Sequence, residues 1–147
     1  VQVRPSSEFS QVSAQPAIAA RIKSLESTDI TVERAHERNV ASLDFEIQFA
    51  HREGARTTVF VSFPHYQSRA DLLITHMTTL PAEFCGRGHG SDAIQKLLVW
   101  ARDNSFWNVV ATQVSDPRSQ RFWERNGFVR LPEPNPTGNY GRDSFLV

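Results

Sequence analysis

Gly86, Gly88 and Gly90 fall in one short stretch, Phe84-Cys85-Gly86-Arg87-Gly88-His89-Gly90-Ser91. An apolar, β-prone segment, Ala70 to Leu80, precedes it, and Ile94, Leu97, Leu98 and Ala101 follow at helical spacing. The pattern predicts a strand that feeds a glycine-rich turn, and a turn that opens a helix. The first turn of a helix has backbone N–H groups without intrahelical partners, and the macrodipole adds partial positive charge there. Glycines let that backbone approach a bound group without a Cβ in the way. The N–H groups of Arg87 to Ser91 therefore suit an anion, best a pyrophosphate, with Arg87 adding direct charge. A dinucleotide is the rival ligand. Its fingerprint is Gly-x-Gly-x-x-Gly after a first strand, whereas this chain reads Gly-x-Gly-x-Gly after a series of antiparallel strands.

Two further sets of residues carry chemistry. His76 is the one titratable side chain between Leu72 and Leu80, the strand that runs into the turn. An imidazole with an ordinary pKa suits a general base near neutral pH. Further on, Asp116 and Pro117 read as the cap and first residue of a second helix, and Gly127 as its stop. Within that helix lie Ser119, Phe122, Trp123 and Glu124, and a row of Arg118, Arg121 and Arg125 at three- and four-residue spacing, which suits either a solvated face or contact with phosphates. Cys85 is the single cysteine, so an internal disulfide and a cysteine-rich metal site are both excluded; no metal is expected.

Together the two stretches resemble the GNAT superfamily, the GCN5-related N-acetyltransferases, over roughly residues 56 to 131. The family's first motif is Arg or Gln, two residues, Gly, one residue, then Gly or Ala; Gly88 and Gly90 match and Cys85 stands at the leading position. Its later helix reads Asn-x-x-Ala-x-x-Phe-Tyr-Glu-x-x-Gly-Phe. Here Asp116, Ser119, Phe122, Trp123, Glu124, Gly127 and Phe128 take those places. The resemblance implies an acetyl-CoA-dependent N-acetyltransferase that transfers the acetyl group directly to a primary amine. It also implies a cofactor site drawn from Thr78, Leu80, Cys85, Gly86, Arg87, Gly88, His89, Gly90, Ser91, Asp116, Ser119 and Phe122. A non-catalytic acetyl-CoA-binding module is the alternative; a tRNA-acetylating toxin fits poorly with zero net charge.

Such a transfer has two needs. A lysine-like amine, with pKa about 10.4, is only roughly 0.04% neutral at pH 7, so a proton must leave. The oxyanion and the departing thiolate must then be stabilised. Relatives often place a Glu on the strand before the glycine turn, and this chain offers His76 instead. The common family acid is the Tyr after Phe; here it is Trp123, whose indole N–H gives up no proton near neutral pH. Ser119 and Tyr140 are the remaining candidates for that end of the reaction.

The elements that must position these groups follow from periodicity. Residues 1 to 16 read as a loose lead-in, and 17 to 147 as a single domain, a size that suits one core. Ala17 to Leu25 suggests a short helix and Ile30-Thr31-Val32 a strand. Ser42 to His51 alternates, with Leu43, Phe45, Ile47 and Phe49 on one side and Asp44, Glu46 and Gln48 on the other. Glu53-Gly54 turns the chain into Thr57 to Phe63, which Pro64 ends, and Ala70 to Leu80 completes an antiparallel meander. A helix over Gly88 to Asn104, a strand from Trp107 to Val114, a helix over Asp116 to Asn126, a strand over Phe128 to Leu131 and a closing strand over Tyr140 to Val147 follow, with Pro132, Pro134 and Pro136 as breakers. The expected fold is mixed α/β: a central, mostly antiparallel sheet with helices on both faces. From the resemblance comes the further expectation that two parallel strands splay at the cofactor site.

Of 147 residues, 39% are hydrophobic and 22% charged, with 16 basic and 16 acidic. That neutrality argues against a broad nucleic-acid interface. No apolar run approaches a membrane span and no signal-peptide core is present, so the expected location is cytoplasmic and the expected state a monomer or homodimer. The N-terminal part reads as short for the family, which would leave the acceptor cleft open.

Overall fold

Alternation builds the first half of the sheet. In the computed structural model, which describes residues 18–35, 42–64, 71–106, 108–132 and 138–143, β1 (Ile30–Arg34), β2 (Ser42–Ala50), β3 (Arg56–Pro64) and β4 (Asp71–Leu80) form an antiparallel meander. Leu43, Phe45, Ile47 and Phe49 of β2 are buried, and so are Val59, Val61 and Phe63 of β3 and Leu72 and Ile74 of β4. The intervening Asp44, Glu46, Gln48, Thr58 and Phe60 are only half-buried. This is the period of two that a sheet with one covered face requires.

The second half switches to helical period. Helix α2 (His89–Asp103) buries Ala93, Ile94, Leu97, Leu98, Trp100 and Ala101 in the core shared with β2, β3 and β4. Each large apolar side chain so buried contributes about 1.5–3 kcal/mol. Next come β5 (Asn108–Val114), α3 (Pro117–Arg125), β6 (Val129–Arg130) and β7 (Gly138–Asp143). A helical stretch over residues 18–23, α1, precedes β1. The sheet order is β1-β2-β3-β4-β5-β7-β6, so β7 inserts between β5 and β6. Only β4 and β5 run parallel; every other neighbouring pair is antiparallel.

The fold is therefore the expected mixed, mostly antiparallel sheet with packed helices. Trp100 Nε1 of α2 donates to Ser24 Oγ just beyond α1 (3.1 Å), and Gln95 Nε2 of α2 donates to Asn126 Oδ1 at the end of α3 (3.3 Å). These contacts tie α2 to the chain just beyond α1 and to the end of α3. One face of β1–β4 is buried in the core shared with α2, and the opposite face carries the polar half of the alternation. β1 runs two residues past its expected end, and β6 is shorter than expected. Residues 1–17, Trp107, the segment 133–137 and residues 144–147, on which parts of the lead-in, the β5 start, the proline-rich breaker and the closing strand were expected, lie outside the described residues.

Candidate active site

β4 and β5 are paired only from Asp71↔Asn108 to Ile74↔Ala111. Beyond that point both strands continue, β4 to Leu80 and β5 to Val114, without pairing to each other. Two irregularities sit at the branch. In β4 the register with β3 slips between Phe60 and Val61, leaving Thr75 as the extra residue, and its Oγ1 donates to the Phe60 carbonyl at 3.3 Å. In β5 the register with β7 slips between Ala111 and Val114; Gln113 lies in the left-handed region at φ 56°, its N–H donating to Asn139 Oδ1 at 3.1 Å. A bulge bends and twists its strand, and one in each strand at the same level opens the pair. Thr112 Oγ1 donates to the Ile74 carbonyl at 3.4 Å and marks the crotch. The splay expected from the family resemblance is thus present, and bulges make it.

A cleft of about 220 Å³ fills the fork. It is lined by Ile74 to Met77 from β4, Ala111 to Val114 from β5 with Ser115 just after it, Asp116 and Ser119 from the start of α3, and Trp123 from its last turns. His76 is exposed and tilts its ring against Phe60 with centroids 5.9 Å apart. Asp116 caps α3: its Oδ1 accepts from the backbone N–H of Arg118 (3.0 Å) and of Ser119 (3.1 Å), while Ser119 Oγ donates to Oδ2. The Ser119 hydroxyl, and then the backbone donors, hold the Asp116 carboxyl below its ordinary pKa. So the Ser119 proton is committed to a carboxylate, and what Ser119 offers the cleft is oxygen lone pairs.

At its far end β4 runs through Thr78 and the exposed Leu80 into a 3₁₀ turn over Ala82–Phe84 and then the glycine stretch. Gly88 caps α2 at φ 85°, ψ 0°, a left-handed conformation that L side chains rarely adopt. Cys85 to Gly88 are exposed, and a Cβ at Gly88 would meet nothing within 4 Å. Open space therefore lies over the helix start, which fits an anion on the first-turn N–H groups. Gly90 matters for a different reason. It is helical, and a Cβ there would lie 2.9 Å from Met77 Cε and 3.2 Å from Phe122 Cε1, so its hydrogen lets β4, α2 and α3 approach. Arg87 is drawn to Glu53 (Nη1–Oε2 3.4 Å) and lies over the Phe84 ring at 4.9 Å.

The remaining candidates scatter. Phe122 packs against Gly90, Met77 and the Trp123 ring, outside the cleft lining. Trp123 is 6% exposed between Phe122 and Phe128 and turns one side to the cleft. Tyr140 is 3% exposed in the core of β7 opposite Ala111, so the structure does not bring it into the cleft with His76 and Ser119. Cys85 directs its thiol at the Thr79 carbonyl, 3.5 Å away.

A polar cluster behind the glycine turn escaped the sequence analysis. His51 follows β2, with its side chain only 5% exposed. Its Nε2 is 2.8 Å from Thr57 Oγ1, which is 2.9 Å from Thr79 Oγ1. The ring stacks on His89 at 4.6 Å, and Nδ1 lies 4.0 Å from Asp92 Oδ2. Burial, and next the His89 charge, push the His51 pKa below its ordinary value. The Glu53-Gly54 turn foretells that His51 and Thr57 share a sheet end. Its pairing with His89 depends on where α2 docks, which no local pattern encodes.

The fold that carries this arrangement has counterparts among solved structures. No curated protein matches the chain. Among solved structures, a domain from Methanocaldococcus jannaschii superposes with TM-score 0.55 at 9% identity, covering 80% of this chain and 99% of that one. An acetyltransferase of Bacillus subtilis in complex with CoA gives 0.53 at 10% identity, over 78% and 98%. AtaTR bound with AcCoA gives 0.52 at 11%, over 80% and 95%. At such identities the likeness is one of fold. The model of the Acetyltransferase (GNAT) family matches residues 47–128. That span covers more than half of the chain and takes in the fork, the glycine turn and both flanking helices, and on it the chain belongs to the GNAT family of acetyltransferases.

Proposed function

We propose that this protein is an acetyl-CoA-dependent N-acetyltransferase working by direct transfer to a primary amine. One observation carries the reading: a cleft at the β4–β5 fork is joined, by the run of β4 that β5 no longer pairs, to an exposed glycine cap at a helix N-terminus. In this reading the first-turn N–H groups of α2, with Gly86, Arg87, Gly88, His89 and Ser91 around them, hold the pyrophosphate. The free backbone edge of β4 near Thr78 and Leu80 receives the amide-bearing arm, as an edge strand receives a partner. The bound co-substrate supplies the acetyl group as a thioester within the fork. His76 lines the fork and takes the proton from the acceptor amine. Trp123 closes one wall and excludes water, and the Asp116–Ser119 pair fixes the start of α3.

A second reading, a module that holds acetyl-CoA without turnover, draws on the placement of Tyr140 in the core and of Trp123 at the usual acid position. Calorimetry with acetyl-CoA, followed by free-thiol release across an amine panel, separates the two. Binding with amine-dependent thiol release is the expected outcome; binding without release in any amine leaves the module, and absence of binding overturns both.

A further inference from the structure

The face of β1–β4 opposite α2 carries a row of side chains of which the proposed chemistry uses only His76. Strand register places Glu33 of β1 opposite Glu46 of β2, Glu46 opposite Phe60 of β3, and Phe60 opposite His76 of β4. One straight row therefore crosses four strands and ends at the fork. Each step is about 4.8 Å, so Glu46 lies about 10 Å from His76 and Glu33 about 14 Å. Glu33 and His76 are exposed; Glu46 and Phe60 are half-buried. Like charges directly opposite on neighbouring strands destabilise a sheet. Among the described residues no ion pair relieves Glu33 or Glu46. Of the two flanking rows, that of Thr31, Gln48, Thr58 and Thr78 is uncharged, and the other adds a third carboxylate, Asp44, opposite Ser62. Arg56, which pairs with Leu80 at the end of the meander, is four residues along β3 from Phe60, a distance of about 13 Å.

We infer that this open face docks the acceptor, and that the acceptor is a linear aliphatic diamine. One amine reaches His76 and the thioester, the methylenes cross the Phe60 ring, and the second ammonium sits on Glu46 and Glu33. Charge complementarity selects that occupant: a base at one end of the row, an apolar ring in the middle and two unneutralised carboxylates at the other end match a molecule with two cations and a hydrocarbon between them. A monoamine leaves the carboxylates opposed. This inference rests on the transferase reading and names its substrate class.

The test uses the full chain with acetyl-CoA and three acceptors: a linear α,ω-diaminoalkane, the monoamine of equal length, and a short peptide with a free N-terminal amine and one downstream Lys. The diamine should show a KM about tenfold below the monoamine with similar kcat, since its second ammonium gains ion pairs that the monoamine lacks. Raising salt should narrow that gap. The Glu33→Gln, Glu46→Gln double variant should bring the two KM values within about twofold, and should melt higher than the parent without ligand because the opposed charges are gone. Calorimetric binding of the diamine to the CoA-bound protein reads the docking without turnover. Diamine binding that depends on Glu33 and Glu46, with no acetyl transfer, keeps the docking face and removes the transferase. Transfer with equal KM for diamine and monoamine keeps the transferase and overturns the docking face, as does a preference for the peptide.

Discussion

The two ends of β4 are built from different materials. At the glycine turn the proposed ligand contacts are backbone N–H groups, which every residue except proline supplies. At the fork the proposed working groups are the side chains that line the cleft: His76, Ser119, Asp116 and Trp123. A site made from backbone tolerates replacement of the side chains around it, so Cys85 at the family's leading basic position removes one charge and leaves the cradle in place. A site made from side chains has no such reserve. Trp123 in place of a tyrosine takes a proton donor away, and Tyr140, sealed in the core, does not restore it. Binding and catalysis can thus diverge in one molecule.

Replacing His76 tests the side-chain end and has the largest expected effect. His76→Ala should lower the rate of acetyl transfer by about 10²–10⁴-fold and remove an apparent pKa from the pH–rate profile. Acetyl-CoA affinity, measured by calorimetry, should stay at its parent value. An unchanged rate and profile would take His76 out of the mechanism and leave deprotonation to solvent.

Glycine replacements test the backbone end, and the structure separates two positions that the motif treats alike. Gly88→Val forces a β-branched side chain into a left-handed cap and crowds the anion site. Each charge-assisted hydrogen bond lost costs about 1.5–3 kcal/mol, so acetyl-CoA affinity should fall tenfold or more. The ligand-induced rise in melting temperature should shrink with it. Gly90→Val instead drives a Cβ toward Met77 and Phe122. Its main effect should be overpacking, a loss of about 1–3 kcal/mol in denaturant unfolding without ligand. Strain at the left-handed Gly88 also costs stability, so affinity is the deciding measurement: an acetyl-CoA affinity as low in Gly90→Val as in Gly88→Val would sink the distinction.

The smallest expected effect concerns the cluster behind the turn. In the folded state burial and His89, with Lys96 adding to them, hold the His51 pKa below 6.5, and Asp92 opposes them. The unfolded chain therefore binds the proton more readily. The stability His51 contributes is complete above pH 6.5, falls as the pH drops below that value, and stops falling once the lowered folded pKa is passed. His51→Gln should flatten that part of the stability–pH curve. A parent and variant with parallel curves would show that other groups set the acid limit.

The elements themselves could be read locally. Period-two alternation in Ser42–Ala50 and Arg56–Pro64 marks strands with one covered face, and Ile94, Leu97, Leu98 and Ala101 mark the inward side of α2, because burial selects side chains at the repeat of the backbone. Gly88 and Asp116 announce helix starts for the same local reason. The site was legible only in part. Its glycine turn is contiguous in sequence, and so is the capped start of α3, whereas the fork brings together residues from three elements.

What the sequence by itself determined was therefore the kind of each element, the family, and the chemistry available along each segment. Tertiary structure alone decided that Thr75 and Gln113 would bulge at one level and part β4 from β5. It also decided that Gly90 would be a contact between three elements, that Tyr140 would lie inside the core, and that His51 would stack on His89. It aligned Glu33, Glu46, Phe60 and His76 in one row. The reason is physical: local patterns report which face of a strand or helix prefers to be dry, but distances between segments remote in the chain are fixed only when those dry faces pack together and the register of neighbouring strands is locked.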